Sequence, residues 1–237
     1  MAKTMLQRLR EEVLEANLEL TRRGLVLYTF GNASGISRGK GLIVIKPSGV
    51  PYENLRPEDL VVADLGGKVV EGELRPSSDL PTHLFLYKAF PEIGGVAHTH
   101  SEYATAWAQA RQPIPCLGTT HADSFHGPVP VTAAMTEEDI ACSYEENTGR
   151  AIVRAMEHLD YKAVPAILVA NHGPFTWGLD PGMAAHHAVI LEAVARTAYL
   201  TITINPAAQP IGSALHDKHY LRKYGSHAYY GQQKKEK

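Results

Sequence analysis

The sequence predicts one α/β domain in which a mixed, largely antiparallel sheet is covered by helices. The length of 237 residues suits one large domain with a sizeable core. A glycine pair, Gly66-Gly67, separates LVVADL from KVVEGEL and is a strong hairpin signal, which favours antiparallel strands. Segments with helical periodicity alternate with short apolar segments, and neither an internal repeat nor a linker divides the chain.

The first half of the chain is predicted to open with a helix over residues 5–22, which ends before Gly24. Its apolar residues recur at steps of three and four: Leu6, Leu9, Val13, Ala16 and Leu20. LVLYTF (25–30) and LIVIK (42–46) are predicted strands, and GNASGISRGKG between them is a predicted turn. After the tight turn KPSG and the glycine hairpin, the loop RPSSD leads into a helix that begins near Pro81.

The second half is predicted to begin with a strand over 93–99 and a helix over 101–110, followed by an irregular, proline-rich region over 111–135. A helix over 136–158 opens with a capping box formed by Thr136 and Asp139. AILVA and FTWG form a predicted strand pair. The remaining predicted elements are a long helix from Asp180-Pro181 to about 203, a helix near 213–223, and an extended tail from about 224.

The composition argues against a general attraction to nucleic acid or to a membrane, because 20% of the residues are charged and the net charge is only −2. We expect no membrane span, because no apolar stretch approaches the length of about 20 residues that spans a bilayer, and the N-terminus lacks the apolar core of a signal peptide. We therefore expect a cytoplasmic protein. The basic, aromatic tail is interpreted as a solvated end, and Cys116 and Cys142 as free, buried thiols.

Two histidines mark the end of the predicted strand in GVAHTHS. His98 and His100 are two residues apart, so a strand would direct both rings to the same face. A further histidine, His172, follows the apolar segment LVAN and precedes a glycine. Three neutral imidazoles suit Zn²⁺ and leave room for water or substrate, although each histidine alone could also be an ordinary core or surface residue.

Several turns contain small polar residues that could bind an anion. Lys46, Ser48 and Gly49 lie in KPSG, whose backbone N–H groups could converge on an oxyanion. Ser77 and Ser78 precede a predicted helix, where free N–H groups favour negative charge. The pair Gly31-Asn32 could add a third turn, but each of these fragments is also ordinary turn chemistry.

The sequence offers four groups that could transfer protons. Asp79 follows the serine pair, Asp123 lies in the polar stretch GTTHADSF, and Tyr229 and Tyr230 lie in the tail. A carboxylate close to a metal and a phosphate would have its pKa set by both charges. A helix cap, a solvated loop residue or a packing contact would explain each of them equally well.

Together these stretches resemble the class II aldolase/epimerase family. The resemblance is carried by GNASG, IKPSGV, PSSDLPTH, GVAHTHS, GTTHADSF, NHGPFTWG, DKHYLRKYG and AYYG, in that order, from residue 31 to 231. It implies a three-layer α/β/α fold around a mostly antiparallel sheet, in a homotetramer with active sites between subunits. It also implies a metal-dependent epimerase that inverts C4 of a phosphorylated ketopentose, L-ribulose 5-phosphate, by retro-aldol cleavage and re-addition.

The resemblance also implies a role for each candidate residue. It implies that three histidines bind Zn²⁺ or another divalent cation, with Asp79 as a fourth ligand or an acid/base group. It assigns proton transfer to Asp123 and Tyr230, and His219 to the same interfacial site. It assigns the substrate phosphate to the glycine and serine turns, with the lysine nearby. The implied metal ligands are His98, His100 and His172, and the implied substrate-binding residues are Gly31, Asn32, Lys46, Ser48, Gly49, Ser77, Ser78 and His219.

Two other functions are compatible with this resemblance. Aldolases of the family that cleave fuculose or rhamnulose 1-phosphate typically carry glutamate where this chain has Asp79, so the shorter side chain favours the epimerase. Adducin-like proteins use the fold for cytoskeletal interaction and lack the metal ligands, whereas all three histidine positions are filled here. The sequence therefore favours an enzyme over an interaction module.

Overall fold

A computed structural model describes residues 4–231 and contains a seven-stranded sheet in which every pair of neighbouring strands is antiparallel. The strand order is β4-β3-β2-β1-β5-β7-β6. The predicted hairpin is confirmed, because Val61–Asp64 pairs with Val69–Glu71. The strands are β1 (Asn32–Ser37), β2 (Leu42–Ile45), β3 (Val61–Asp64), β4 (Val69–Glu71), β5 (Gly95–His98), β6 (Ala166–Leu168) and β7 (Pro174–Gly178).

Eight α-helices accompany the sheet in the described part of the chain. The helices are α1 (Met5–Arg22), α2 (Leu80–Ala89), α3 (Glu102–Ala110), α4 (Thr119–Ala122), α5 (Glu137–Ala141), α6 (Tyr144–Ala155), α7 (Pro181–Ile204) and α8 (Ser213–Tyr224). Their order along the chain follows the sequence prediction, apart from the short α4 in the region predicted to be irregular and the division of one predicted helix into α5 and α6.

Alternation along the strands creates two cores, one on each face of the sheet. In β2, Ile43 and Ile45 pack in the core beneath α2 and α6, whereas Val44 packs against α1. The same change of face occurs in β5, where Ala97 joins a cluster formed with α1 and α7. Side chains of a strand alternate between faces, so helices lie on both sides of the sheet. The predicted α/β/α arrangement is confirmed.

The central strand is not where the sequence predicted it. Residues 25–30 form no strand, Tyr28 has a positive φ of 52°, and the strand is instead Asn32–Ser37. A Cβ atom at Gly35 would lie 2.7 Å from side-chain atoms of Leu9 and Pro181. Small residues are therefore needed in β1 because α1 and α7 approach its backbone closely. The prediction treated these small residues as a turn and was wrong.

The helix predicted over 136–158 is interrupted after α5. Its capping box is confirmed, because the Thr136 hydroxyl accepts a hydrogen bond from the Asp139 N–H and the Asp139 carboxylate accepts one from the Thr136 N–H. Ser143, however, has a positive φ of 55°, which a continuous α-helix cannot contain. The chain turns there, and α6 begins at Tyr144 beside the histidines described below.

Two further expectations differ from the structure. Cys116 is buried as predicted, but Cys142 is exposed. By length and composition α7 is apolar enough to cross a membrane, contrary to the sequence reading. Seven of its apolar side chains are nevertheless buried against β-strands and neighbouring helices. An apolar composition is weak evidence for a membrane span when the helix packs in a protein core.

The described part of the tail folds back onto α8. The backbone N–H groups of Tyr229 and Tyr230 both donate to the Arg222 carbonyl, at 3.0 Å. The lysine-rich end predicted to be solvated, residues 232–237, lies outside the described residues. The tail tyrosines are thereby held beside the basic residues of α8.

Candidate active site

A cavity of about 380 Å³ lies at the end of β5 and collects most of the predicted site residues. Antiparallel pairing brings Asn32 of β1 opposite His98 of β5, and Phe175 of β7 opposite the same histidine. The loop before α2 and the start of α6 complete the wall. The predicted residues that line the cavity are Gly31, Asn32, Lys46, Ser48, Gly49, Ser77, Ser78, Asp79, His98, His100 and His172.

The three predicted histidine ligands meet in this cavity. The ring centroids of His98 and His100 are 4.9 Å apart, those of His98 and His172 4.7 Å, and those of His100 and His172 5.0 Å. One nitrogen from each ring lies within 4.8 Å of the others. His98 Nδ1 lies 2.9 Å from the Pro174 carbonyl and donates to it, so Nε2 faces the other rings and lies 3.0 Å from His100 Nε2.

The protonation of these rings suits a metal cation. Burial, together with the neighbouring histidines, lowers the pKa of His172 to about 4 and also lowers the pKa of His100. Both are therefore neutral near pH 7, as metal-ligating imidazoles must be. Three imidazoles in mutual contact match the donor set of a divalent transition-metal site, Zn²⁺ in particular.

Asp79 lies at the start of α2 beside this cluster. Its Oδ2 accepts a hydrogen bond of 2.6 Å from Asn32 Nδ2. Burial raises its pKa, but His98, His83 and the Asn32 amide outweigh that effect, so the pKa is lowered overall. The carboxylate is therefore ionised in the cavity wall. Asn32 is 2% exposed, and its Oδ1 has no protein partner, so it remains available to a ligand hydroxyl.

Lys46 is the cation of the cavity and is only 1% exposed. Its Nζ contacts the carbonyl oxygens of Thr29 and Pro47, at 3.5 and 3.3 Å, and lies 4.7 Å from the centre of the Tyr52 ring. Within residues 4–231 no carboxylate lies within 4.0 Å of it. Burial lowers its pKa to about 8, because the ammonium has lost water without gaining a counter-charge. An anion in the cavity would supply that charge.

The turns predicted to bind an anion surround this lysine. Gly31 and Gly49 have positive φ angles of 76° and 70°. A Cβ atom at Gly31 would lie 2.8 Å from the His98 carbonyl, so glycine is required there. The N–H groups of Ser48 and Ser77 already donate to the carbonyls of Arg75 and Lys46. These two serines therefore offer hydroxyl groups to the cavity rather than the backbone N–H groups that the sequence suggested.

Five residues of the cavity wall were not predicted from the sequence: Thr29, Phe30, Pro47, Tyr144 and Glu145. The Tyr144 hydroxyl lies 3.4 Å from His172 Nδ1. The Phe30 ring is 6.1 Å from the ring of His100. No local pattern marks these residues, because Tyr144 reaches the cavity only through the break at Ser143, which was predicted to be continuous helix.

Asp123 and Tyr230, the pair to which the resemblance assigns proton transfer, belong to a second cluster, which does not line this cavity. Asp123 accepts hydrogen bonds from Arg222, at 2.8 and 2.9 Å, and from His219, at 3.1 Å. Burial raises the pKa of Asp123, but the hydrogen bonds from Arg222 and His219 outweigh it, so the pKa is lowered. The Tyr230 ring packs on Arg222 and on Lys223, at 4.9 and 4.6 Å.

Tyr229, the other tail tyrosine, packs on Lys218 at 5.2 Å instead. Of the two tyrosine rings, it is that of Tyr230 that packs on the basic residues around Asp123. The structure consequently brings Asp123, His219 and Tyr230 together, while it separates all three from the histidine cavity of the same chain.

The structure defines a three-layer α/β domain with a cluster of three histidines at the end of β5, and comparison with known proteins gives its family. The chain belongs to the class II aldolase and adducin N-terminal domain family, whose model matches residues 11–199. The family predicted from the ordered motifs is confirmed.

Individual relatives are more specific. The chain is 53% identical over 227 residues to "L-ribulose-5-phosphate 4-epimerase UlaF" of Salmonella paratyphi B (strain ATCC BAA-1250 / SPB7), which covers 96% of this chain and 100% of the relative. Among solved structures, an L-fuculose 1-phosphate aldolase matches with a TM-score of 0.78 at 27% identity, covering 94% of this chain and 98% of that chain. YgbL of Klebsiella pneumoniae matches with a TM-score of 0.73 at 26% identity, covering 91% and 99%.

Proposed function

We propose that this protein is a metal-dependent epimerase that converts L-ribulose 5-phosphate to D-xylulose 5-phosphate by inverting C4. One observation carries the proposal: a single cavity holds three clustered imidazoles and a buried lysine without a carboxylate partner in residues 4–231. The imidazoles suit a divalent cation, and the lysine suits a phosphate. The 53% identity to a relative named as this epimerase supports the choice of substrate.

The metal would be held by His98, His100 and His172, with Asp79 as a fourth ligand or as an acid/base group. Zn²⁺ fits three neutral imidazoles and one carboxylate, although such donors also accept other divalent cations. When bound, the cation would act as a Lewis acid toward the negative charge that develops on the ketone fragment of the substrate.

The phosphate would lie against Lys46, with the turns Gly31-Asn32, Ser48-Gly49 and Ser77-Ser78 around it. A charged ammonium and several hydroxyl groups favour a phosphate dianion over a neutral sugar. Firm retention of the phosphate matters for the reaction, because the fragment that carries it must stay bound while it reorients. An aldolase releases its two fragments, whereas an epimerase must keep both.

The reaction begins when the C4 hydroxyl loses its proton and the C3–C4 bond breaks. The electrons of that bond move into the ketone fragment as the enolate of dihydroxyacetone, and C4 becomes the aldehyde of glycolaldehyde phosphate. The aldehyde rotates, the enolate attacks its opposite face, and the new C4 oxygen is protonated. Two groups on opposite faces are therefore needed, and we assign these roles to Asp123 and Tyr230.

A neighbouring subunit would supply these two residues and His219, because within one chain their cluster does not line the histidine cavity. We accordingly propose a homotetramer with active sites between subunits, acting in the carbohydrate metabolism of the cytoplasm. Closed symmetric assemblies of this kind allow one surface of each subunit to complete the site of the next.

The test is to incubate the purified protein with L-ribulose 5-phosphate and to measure D-xylulose 5-phosphate. We expect product, loss of activity after chelation, and recovery on adding Zn²⁺. The structural likeness to an L-fuculose 1-phosphate aldolase makes the aldolase the second candidate. Free aldehyde from fuculose or rhamnulose 1-phosphate, without any epimer, would establish the aldolase instead. If the protein binds no metal and shows no activity, an adducin-like interaction module would be favoured.

A further inference from the structure

A buried chain of hydrogen bonds lies behind the cavity and has no role in the reaction described above. His83 is fully buried in α2, and its Nδ1 lies 2.7 Å from Ser34 Oγ. The same Ser34 oxygen lies 2.8 Å from the Tyr87 hydroxyl, which is also fully buried. At the other end of the chain, His83 Nε2 has no protein partner. A buried polar atom without a partner is costly, so this nitrogen needs an explanation.

The direction of the protons follows from counting the partners of these groups. If Tyr87 donates to Ser34 and Ser34 donates to His83 Nδ1, every hydroxyl proton is paired, and His83 carries its own proton on Nε2. In the opposite direction His83 donates to Ser34 and Ser34 to Tyr87, which leaves the Tyr87 proton and the Nε2 lone pair both unpaired. The first arrangement leaves one unpaired group instead of two. His83 Nε2–H is therefore a donor.

Asp79 is the anion on the same side of α2. It precedes His83 by four residues, and the His83 backbone N–H donates to the Asp79 carbonyl at 3.0 Å, so the two side chains share one helix face. Asp79 raises the pKa of His83, and His83 lowers that of Asp79, as neighbouring groups do. The Phe175 ring contacts both His83, at 6.1 Å, and the ligand His98, at 4.2 Å.

We propose that His83 is a positioning residue for Asp79: its Nε2–H donates to the carboxylate through one water molecule and keeps that carboxylate turned to the three histidines. This inference rests on the proposed function, in which Asp79 is a metal ligand or an acid/base group. Asn32 holds Oδ2 of Asp79 from one side, and His83 acts from the other. Burial lowers the pKa of His83 to about 4, so it remains a neutral donor near pH 7.

The experiment compares variants that keep or remove the donor. His83→Phe retains an aromatic ring without a donor, whereas His83→Gln retains an N–H group of similar reach. Zn²⁺ affinity is measured by competition with a chelator, kcat is measured with L-ribulose 5-phosphate, and thermal unfolding reports the fold. We expect His83→Phe to lower Zn²⁺ affinity or kcat by about 10- to 100-fold, as loss of such outer partners does. His83→Gln should recover most of that loss.

A double-mutant cycle identifies the residue through which His83 acts. In an Asp79→Asn background His83→Phe should have almost no further effect. Equal losses in His83→Phe and His83→Gln, or additive losses in both measurements with Asp79→Asn, would overturn the proposal. Failure of the wild-type protein to bind any divalent metal would instead overturn the proposed function.

A second pair of variants covers the case in which His83→Phe does not fold. Ser34→Ala removes the donor that fixes the proton on Nε2, and Tyr87→Phe removes only the far end of the chain. We expect Ser34→Ala to lower Zn²⁺ affinity or kcat severalfold and Tyr87→Phe to leave both nearly unchanged. Equal effects of the two changes would contradict the proton direction on which the proposal depends.

Discussion

The histidine cavity and the Asp123 cluster are both built from ionisable side chains, yet their charges are balanced in opposite ways. In the cavity, Lys46 is buried without a carboxylate partner among residues 4–231, and burial lowers the pKa values of His100 and His172. In the other cluster, the Asp123 carboxylate is met by Arg222, with His219 beside it. The buried ammonium of the cavity lacks a counter-charge, whereas the carboxylate of the Asp123 cluster has one.

This difference indicates what each region requires. A buried cation without a counter-charge is costly unless a ligand supplies that charge, which supports the proposal that an anion binds in the cavity. A carboxylate fixed by an arginine at 2.8 Å is oriented and kept ionised without a ligand. The charge of Asp123 is therefore balanced by residues of the described chain. The predictions below test this division of labour, beginning with the largest expected effect.

Removal of a histidine ligand should have the greatest effect. We expect His98→Asn to abolish stable Zn²⁺ binding and to lower kcat by roughly 10²- to 10³-fold or more, because stabilisation of the transition-state charge is lost. Metal content and turnover of the purified variant measure both effects. His158→Asn, a change at an exposed histidine outside the cavity, is the matched control. Full activity of His98→Asn would contradict the ligand assignment.

Removal of the Asp123 carboxylate should leave metal binding intact and impair proton transfer. We expect Asp123→Asn to lower kcat by roughly 10²- to 10⁴-fold, the usual contribution of a general acid or base. This variant is then mixed with His98→Asn under conditions that exchange subunits. The mixture tests whether the two clusters of one active site come from different subunits. If a site combines two subunits, about a quarter of the sites become intact and activity returns. Absence of recovery in verified mixed oligomers would show that both clusters serve from one chain.

Removal of the unpaired cation should weaken anion binding. We expect Lys46→Met to reduce affinity for sulfate and for the substrate by about 10- to 100-fold, the value of a hydrogen bond to a charged group. Lys40→Met, at an exposed lysine, is the control. Calorimetry gives the sulfate affinity, and the rise in KM gives the effect on substrate. Unchanged sulfate affinity in Lys46→Met would remove the lysine from the phosphate site.

The same lysine predicts a pH dependence. Its pKa near 8 means that wild-type affinity for sulfate should fall as the pH rises through about 8, because the ammonium is lost, whereas Lys46→Met should show no such change. The sign for stability is opposite. The pKa of the folded state lies below the unfolded value of 10.5, so the charged lysine destabilises the fold below about pH 8, and this cost disappears as the pH rises toward 10.5.

The smallest expected effect comes from Tyr144, whose hydroxyl lies 3.4 Å from His172 Nδ1. A metal-ligating histidine is oriented by the partner of its other nitrogen. We expect Tyr144→Phe to lower Zn²⁺ affinity by about tenfold, the lower end of the range for such partners, since the contact is long. Chelator competition measures it, with Tyr199→Phe, at an exposed tyrosine, as control. An unchanged affinity would mean that the contact does not orient the ligand.

The structure brings the predicted histidines together, but it has no strand over residues 25–30, where the sequence predicted one. His98 and His100 were found because their spacing reports directly on a strand. The strand over 25–30 was wrong, since apolar side chains such as Leu27 and Tyr28 are exposed, while the small residues around Gly35 form the centre of the sheet. Apolar content predicts burial only on average. Here two helices approach the sheet so closely that small residues, rather than the apolar segment, form its central strand.

The sequence by itself determined the order of the elements, the hairpin, the helix caps and the residue types of the site, because these depend on local spacing and propensity. Only the tertiary structure decided that His172 joins the histidine pair, that Lys46 is left without a counter-charge, and that Tyr144 enters the cavity. It also decided that Asp123 pairs with Arg222 outside the histidine cavity. The physical reason is that burial and pairing of charge depend on neighbours far away in the chain, which no local pattern of residues specifies.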